Sequence, residues 1–168
     1  MVQTHFVISN SVADVPDDLK LLGAAHPDVS VKVFSTTQKA IPTARTTIDH
    51  ISHLRIDTLV RGMTGNVLDL LQVPALTVLK IEFRGNLQLE KIVSLVQDSH
   101  CRLKLLRLEG DVDIPASDLE ELARSLHDLE TLWAWKGEKD LTNGSDVNKI
   151  LCNRAIKRQQ DAEKASSA

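Results

Sequence analysis

Three short groups of residues in this sequence could support chemistry. His50 and His53 have an H-x-x-H spacing that is found among metal ligands, but no third ligand stands nearby in the sequence. At the proposed beginning of a strand the two rings would not converge, so we predict no metal site. His100-Cys101 contains a thiol, yet a cysteine nucleophile needs a base and an orienting group, and the sequence identifies neither. We interpret Cys101 as a buried structural residue.

The third group, Asp111-Val-Asp113, resembles a cation-binding loop only superficially. It lacks the twelve-residue ligand pattern and its glycine, so we interpret it as a turn before a helix. The glycine-rich motifs that cradle phosphates and the G-x-S-x-G elbow of serine hydrolases do not occur. We therefore predict that the protein is not an enzyme and needs no cofactor or metal. A small α/β enzyme, with catalytic residues at the carboxyl ends of strands, is the alternative from another functional class.

The amino-acid composition narrows the classes of protein and of binding partner that remain. A chain of 168 residues with 42% hydrophobic and 26% charged residues predicts one folded domain. The net charge of −3 argues against wholesale binding of nucleic acid or anionic membranes, and 3% aromatic residues leave almost no base-stacking platform. Two cysteines without a CxxC motif, no leader and no long apolar run predict a soluble intracellular protein, cytoplasmic or nuclear.

An internal repeat dominates the sequence. One segment pattern occurs four times, as Ile51-Ser-His-Leu54-Arg-Ile56, Leu76-Thr-Val-Leu79-Lys-Ile81, Leu103-Lys-Leu-Leu106-Arg-Leu108 and Leu129-Glu-Thr-Leu132-Trp-Ala134. The steps from Leu54 to Leu79, Leu106 and Leu132 are 25, 27 and 26 residues. The same register, run backwards, predicts two weaker units in which Gln3 and Asp28 replace the leading apolar residue; their inward pairs are Phe6 with Ile8 and Val31 with Val33.

Six units of 23 to 27 residues with an L-x-x-L-x-L-like core look like leucine-rich repeats, whose period is about 20 to 29 residues. The predicted fold class is therefore an α/β solenoid, with short parallel strands on the concave side and helices on the convex side. We predict helices over 16–22, 89–96 and 117–126, the last with a capping box from Ser117 to Glu120. The returns over 36–50 and 65–72 do not predict a full helix.

The ends of the stack differ in the sequence. We predict one domain over 1–156, closed by a helix that begins near Ser145, and a polar, disordered tail over 157–168. The amino-terminal end begins directly in strand residues and has no comparable cap. An uncovered first strand favours pairing with another chain.

Features within the individual repeat units suggest a narrower protein family. The long helical return, the phrase Leu119-Glu-Glu-Leu122 and the run from Leu126 to Gly137 resemble the repeat half of fungal F-box-like proteins. That resemblance implies a module that holds a target for a ubiquitin ligase, whose components would be partners if an F-box lies upstream. Val15-Pro-Asp-Asp-Leu-Lys-Leu-Leu22 looks like the opening of an F-box but fits the first return helix better. The asparagine ladder of many repeat families is absent.

The strand residues that flank the inward pairs predict the binding surface. They form two columns on the concave face, a basic one (Val7, Lys32, Arg55, Lys80, Arg107, Trp133) and an acidic one (Ser9, Phe34, Asp57, Glu82, Glu109, Trp135). One interpretation is a solvated surface in which each cation is satisfied by an acidic neighbour. The other is a recognition surface for a protein or peptide, because Trp and Arg are enriched at interface hot spots. A stand-alone scaffold or inhibitor would use the same surface.

Overall fold

The computed structural model describes residues 4–22, 26–34, 44–59, 61 and 63–166. Strands and helices alternate over most of this range, which confirms the predicted α/β class. The strands are β1 (His5–Ser9), β2 (Asp28–Val33), β3 (Thr46–Thr47), β4 (His53–Thr58), β5 (Leu71–Gln72), β6 (Val78–Phe83), β7 (Leu105–Gly110), β8 (Thr131–Lys136) and β9 (Lys139–Asp140). The α-helices are α1 (Val15–Leu21), α2 (Thr64–Asp69), α3 (Leu89–Ser99), α4 (Ala116–Ser125) and α5 (Val147–Ser166).

Seven strands form one sheet in the order β1-β2-β4-β6-β7-β8-β9. The first six are parallel to their neighbours, and only β9 runs antiparallel, beside β8. Parallel strands in chain order require a return segment between each pair, and α1 to α4 occupy four of these returns. The helices and alternate strand residues share one buried apolar cluster, so the helices cover one face of the sheet.

The repeat register predicted for the last four units is confirmed. Leu54, Leu79, Leu106 and Leu132 are ladder partners in succession, and all four are buried. The leading residues of these units are also buried; they are Ile51, Leu76, Leu103 and Leu129.

A recurrent pair of backbone bonds joins each of these strands to the unit before it. One carbonyl accepts two successive N–H groups of the next unit, at 2.8 to 3.1 Å; the accepting residues are Pro27, Ser52, Thr77 and Lys104.

The register predicted for the first two units is wrong. Val29, not Val31, is the ladder partner of Leu54, and Val31 pairs with Val7 rather than Phe6. The Phe6 and Ile8 side chains, predicted to point inward, are 77% and 66% exposed. Because side chains alternate between faces, a one-residue slip in β1 exchanges its buried and exposed sets. Val7 and Ser9 face the core instead, and the Ser9 hydroxyl donates to the Asp18 carboxylate of α1 at 2.6 Å.

The predicted helices lie close to their expected bounds, although one cap differs. α1 has Pro16 in its first turn, and α3 buries Ile92 and Leu95. The capping box is wrong: the Ser117 hydroxyl donates to Asp118, and Glu120 accepts from the backbone N–H of Asp146. The return over 36–50 lies partly outside the described residues, and its described part holds only β3. The return over 65–72 contains the short helix α2 and β5.

The carboxyl-terminal segment differs most from expectation. α5 continues to Ser166 where a disordered polar tail was predicted, and its residues from Ala155 onward are exposed. Ala, Lys, Arg, Gln and Glu predominate there and are strong helix formers, which explains the extension. The first part of α5 buries Val147 and Leu151 against the rest of the fold. In the described residues no helix combines the length and the hydropathy that crossing a membrane requires.

Candidate functional site

The face of the sheet that the helices leave uncovered carries two columns of side chains. Neighbouring parallel strands lie about 4.8 Å apart, so ladder partners on this face form continuous rows. The cationic column consists of Phe6, Ser30, Arg55, Lys80, Arg107 and Trp133. The acidic column consists of Ile8, Lys32, Asp57, Glu82, Glu109 and Trp135. Eight of the nine predicted site residues therefore lie in the predicted column.

Lys32 is the exception, because of the register error in β2. It lies in the acidic column as the ladder partner of Asp57, and its ammonium is 3.1 Å from that carboxylate. Phe34 follows the end of β2, outside both columns, and its ring lies 5.5 Å from the Lys32 ammonium. The cationic column therefore contains one basic residue fewer than the sequence predicted. The corrected position places a cation at the end of a row of three acids.

Like charges are adjacent within each column, and this arrangement is unfavourable unless other contacts offset it. Ion pairs between the columns provide the offset. The Arg55 guanidinium pairs diagonally with Glu82 on the next strand. The Arg107 guanidinium pairs with Glu109, two residues along the same strand. These pairs are partly exposed, so each contributes at most about 1 kcal/mol to stability.

Lys80 differs from the other cations of the surface. It is exposed, its ladder partners are Arg55 and Arg107, and both of these guanidinium groups already have carboxylate partners. Among the residues that the structure describes, no carboxylate forms an ion pair with Lys80. A shallow depression of about 120 Å³ surrounds it, lined also by Glu82 and Glu109. The centre of the surface therefore carries one ammonium group available to an external anion.

Both tryptophans of the chain lie at one end of this surface. Trp133 is 44% exposed and lies beside Arg107, whose guanidinium carbon is 5.9 Å from the centre of the indole ring. Trp135 is half-buried, pairs with Asp140 of β9, and lines a depression of about 320 Å³ together with Arg107 and Gly137. The segment after β8 thus borders Trp135 without covering Trp133. Cation–π contact and an open ring face suit recognition of a partner.

Two residues on this face were missed at the sequence level. Phe6 and Ile8 extend the columns to β1, where the sequence predicted that they would lie in the core. No residue-type signal separates Phe6 and Ile8 from Val7, because all three are apolar. The polar residue type of Ser9 favours the incorrect orientation, because Ser9 is buried and its hydroxyl bonds to Asp18 of α1.

The cysteine and histidine side chains singled out from the sequence do not form a catalytic or metal-binding site within the described residues. Burial raises the pKa of the Cys101 thiol to about 11, which opposes formation of a thiolate. The His53 ring accepts or donates a bond to the Ser52 hydroxyl at 2.9 Å, and His50 has no bond at Nε2 within the described residues. No group of three or more His, Cys, Asp or Glu side chains in the described ranges is arranged to hold a metal ion.

The two aspartates of the third group also bond within the fold. The Asp111 carboxylate accepts from the backbone N–H of Gly85 at 2.7 Å. Asp113 accepts from the ammonium groups of Lys136 and Lys139 at 2.6 and 3.2 Å, and these bonds lower the pKa of Asp113. The interpretation of this segment as a turn before α4 agrees with these contacts.

A second concavity lies on the helical side. A groove of about 680 Å³ runs between α3 and α4, with the apolar Leu89 and Val93 and the acidic Glu90, Asp118 and Glu121 among its lining residues. Its lining residues do not form columns of equivalent positions from successive repeat units, as the side chains of the exposed sheet face do.

Comparisons of this chain with protein-family models, with curated proteins and with solved structures found no match. The exposed sheet face offers paired charges, one available ammonium group and two indole rings, which together suit binding of a polypeptide.

Proposed function

We propose that this chain is a leucine-rich-repeat module that binds a protein or peptide on its exposed, concave sheet face. The repeated pattern at steps of 25 to 27 residues supports the repeat class. Side-chain bonds at the same separation add support: Thr47 to Gln72 spans 25 residues, and Gly85 to Asp111 spans 26. Each unit in such a stack buries its apolar face only against its neighbours.

The observation that carries the binding proposal is the position of Lys80. An exposed ammonium group between two guanidinium groups that are already paired has a favourable electrostatic interaction to gain from an added carboxylate. Trp133 lies two strands further along the same column, at a distance of about 10 Å from the strand spacing. A partner segment that presents an acidic side chain to Lys80 and an apolar one to Trp133 would use both features. Hot spots at interfaces commonly combine such groups.

Charge reversal tests this proposal. A photo-crosslinking residue at the exposed position 84, which lines a depression of this face with Glu82 and Glu109 and leaves Lys80 intact, is used first to identify the bound protein in cells. The same residue at the exposed position 149 of α5 gives the background. Affinity for the identified protein is then measured by the change in tryptophan fluorescence. Because both tryptophans of the chain lie on the proposed surface, this signal reports contact there.

The test variant is Arg55→Glu with Arg107→Glu, which should abolish binding. Loss of the two partly exposed ion pairs should lower the free energy of unfolding by about 2 kcal/mol, which thermal unfolding measures. The matched control is Lys149→Glu with Lys157→Glu, which makes the same charge change on exposed positions of α5. Unaltered binding by the first variant, or equal loss in both, would refute the assignment of the sheet face.

The narrower role, target recognition for an F-box-like ubiquitin-ligase adaptor, rests on the sequence resemblance alone. Sequencing of the transcript upstream of Met1 tests it. An in-frame F-box would support the adaptor role, and partner searches would then look for proteins that are degraded. An in-frame stop codon would leave a stand-alone scaffold or inhibitor that binds through the same face.

A further inference from the structure

The two edges of the seven-stranded sheet are protected to very different degrees. At one edge β9 contains only Lys139 and Asp140, and a short charged strand discourages pairing with other chains. At the other edge β1 spans five residues with the sequence His-Phe-Val-Ile-Ser, without a carboxylate, lysine, arginine or proline. In the described part of the chain, no strand bonds to the outer side of β1.

The backbone of β1 presents a definite set of free groups at this edge. The Ser9 carbonyl accepts from the N–H of Phe34 beyond β2, so Ser9 directs its backbone groups toward β2. Residues alternate in this respect along a strand, so Val7 and His5 do the same. Phe6 and Ile8 therefore direct their N–H and C=O groups outward. Their side chains are the exposed ones, at 77% and 66%.

We propose that two copies of this chain associate through β1 as an antiparallel pair centred on Val7. In that register Phe6 lies opposite Ile8 of the partner subunit, and Ile8 lies opposite Phe6 of the partner subunit. Both are hydrogen-bonded pairs, so the four outward N–H groups find the four outward carbonyl groups. The four exposed apolar side chains also meet on one face.

The pattern of β1 favours a second copy over other occupants because it is self-complementary. The outward residues are placed symmetrically about Val7, so a two-fold axis satisfies both edges at once and closes the assembly. Centring on Phe6 would leave Ile8 opposite the polar Thr4 of the partner subunit, and centring on Ile8 would leave Phe6 opposite the polar Asn10 of the partner subunit. The joined sheets would place the cationic and acidic columns of both subunits on one continuous face. The short strand predicts an association that dilution reverses.

Sedimentation equilibrium on the full chain tests the association. The expected result is a reversible shift, with rising concentration, from the monomer mass of 18.6 kDa to twice that value. Ile8→Lys should abolish the shift, because it places a charge at the centre of the apolar contact. Ile156→Lys is the matched control: its side chain is 49% exposed, on α5 beside the opposite end of the sheet, and it should leave the shift unchanged. Circular dichroism verifies that both variants fold.

Cysteine cross-linking tests the register. In a Cys152→Ser background, Phe6→Cys and Ile8→Cys proteins are oxidised separately and as a mixture. Directly opposite residues lie about 5.5 Å apart between Cα atoms, which a disulfide can span. The mixed disulfide should therefore form in preference to either symmetric one. A monomer at every concentration, a dimer that Ile8→Lys does not affect, or symmetric disulfides that form as readily as the mixed one would each overturn the proposal. A persistent monomer would leave the edge to a strand of another protein.

Discussion

Gly110 provides a sensitive test of the packing inside the sheet. It is the ladder partner of Phe83, and the buried Phe83 ring occupies the space where a side chain on residue 110 would begin. A Cβ atom on Gly110 would lie 2.8 Å from Cε1 of that ring and closer still to Cζ and Cε2. Alanine at position 110 therefore requires the buried ring to move.

The size of the effect follows from two opposing contributions. Overpacking of a core by one methyl group costs about 1–3 kcal/mol, while alanine gains about 0.5–1 kcal/mol over glycine in a strand. We expect Gly110→Ala to lower the free energy of unfolding by about 1–2 kcal/mol. Phe83→Leu removes all three ring atoms that would collide, so it should relieve the clash in the double variant. The coupling energy between the two sites should be about 1–3 kcal/mol.

Urea unfolding, followed by tryptophan fluorescence, measures the four proteins of the cycle. Gly137→Ala is the control, because Gly137 has a φ of +56° and a Cβ atom there would meet no other atom within 4 Å. Its cost of about 1–2 kcal/mol comes from backbone conformation alone. Phe83→Leu should not rescue that variant. If the changes at 83 and 110 prove additive, the steric explanation of Gly110 is wrong.

Three further predictions concern single side chains. Because the pKa of Cys101 is raised from its ordinary value near 9 to about 11, the unfolded thiol ionises first as the pH rises. The free energy of unfolding should then fall between pH 9 and pH 11 by roughly 2–3 kcal/mol in wild type relative to Cys101→Ala. His100→Gly should raise the free energy of unfolding by about 0.5–1 kcal/mol, because His100 ends α3 with a φ of 52°. Arg154→Met should lower it by about 1–3 kcal/mol, because its guanidinium donates at 2.7 Å to the carbonyls of Ala123 and Leu126 at the end of α4.

Each of these predictions has its own control. The exposed Cys152 should react with a thiol reagent in the folded protein, whereas Cys101 should react only on unfolding. His100→Ala should bring no gain, since alanine retains the Cβ that disfavours the left-handed conformation. Lys157→Met, at an exposed position of α5, should change stability by less than about 0.5 kcal/mol. A pH slope that persists in Cys101→Ala, equal effects of Gly and Ala at 100, or equal effects at 154 and 157 would contradict the respective argument.

The part of the fold that could be predicted from the sequence is the part in which apolar residues alternate strictly with polar ones. In Leu79-Lys-Ile81 and Leu106-Arg-Leu108 only one face can enter the core, so the register of β6 and β7 followed directly. β1 and β2 do not have this property. Phe6, Val7 and Ile8 are all apolar, and the contact that orients β1 is the bond between Ser9 and Asp18 of α1, a residue of another element.

The candidate site divides in the same way. The membership of the two columns followed from the register of β4 and β6 to β8, so it was predictable except at Lys32. Which carboxylate each cation pairs with could not be predicted from the sequence. Arg55 selects Glu82 across the strands, whereas Arg107 selects Glu109 along its own strand, and Lys80 is left without an acid among the described residues. These choices depend on side-chain rotamers and on adjacent strands, which a single strand sequence does not specify.

One backbone carbonyl accepts two N–H groups of the next unit at the start of successive strands. This repeated contact suggests how a whole unit could be inserted into the chain. Each parallel strand of the seven-stranded sheet pairs with the strands of that sheet that precede and follow it in the chain, while β3 and β5 form a separate two-stranded sheet. A duplicated copy of residues 77–103 would begin and end at equivalent bonds, since Thr77 and Lys104 occupy the same place in successive units. We expect such an insertion to be accommodated without redesign of the flanking units. It would lengthen the sheet face by one strand, with a second Lys80 and a second Glu82, so the reach of the surface could evolve separately from its stability.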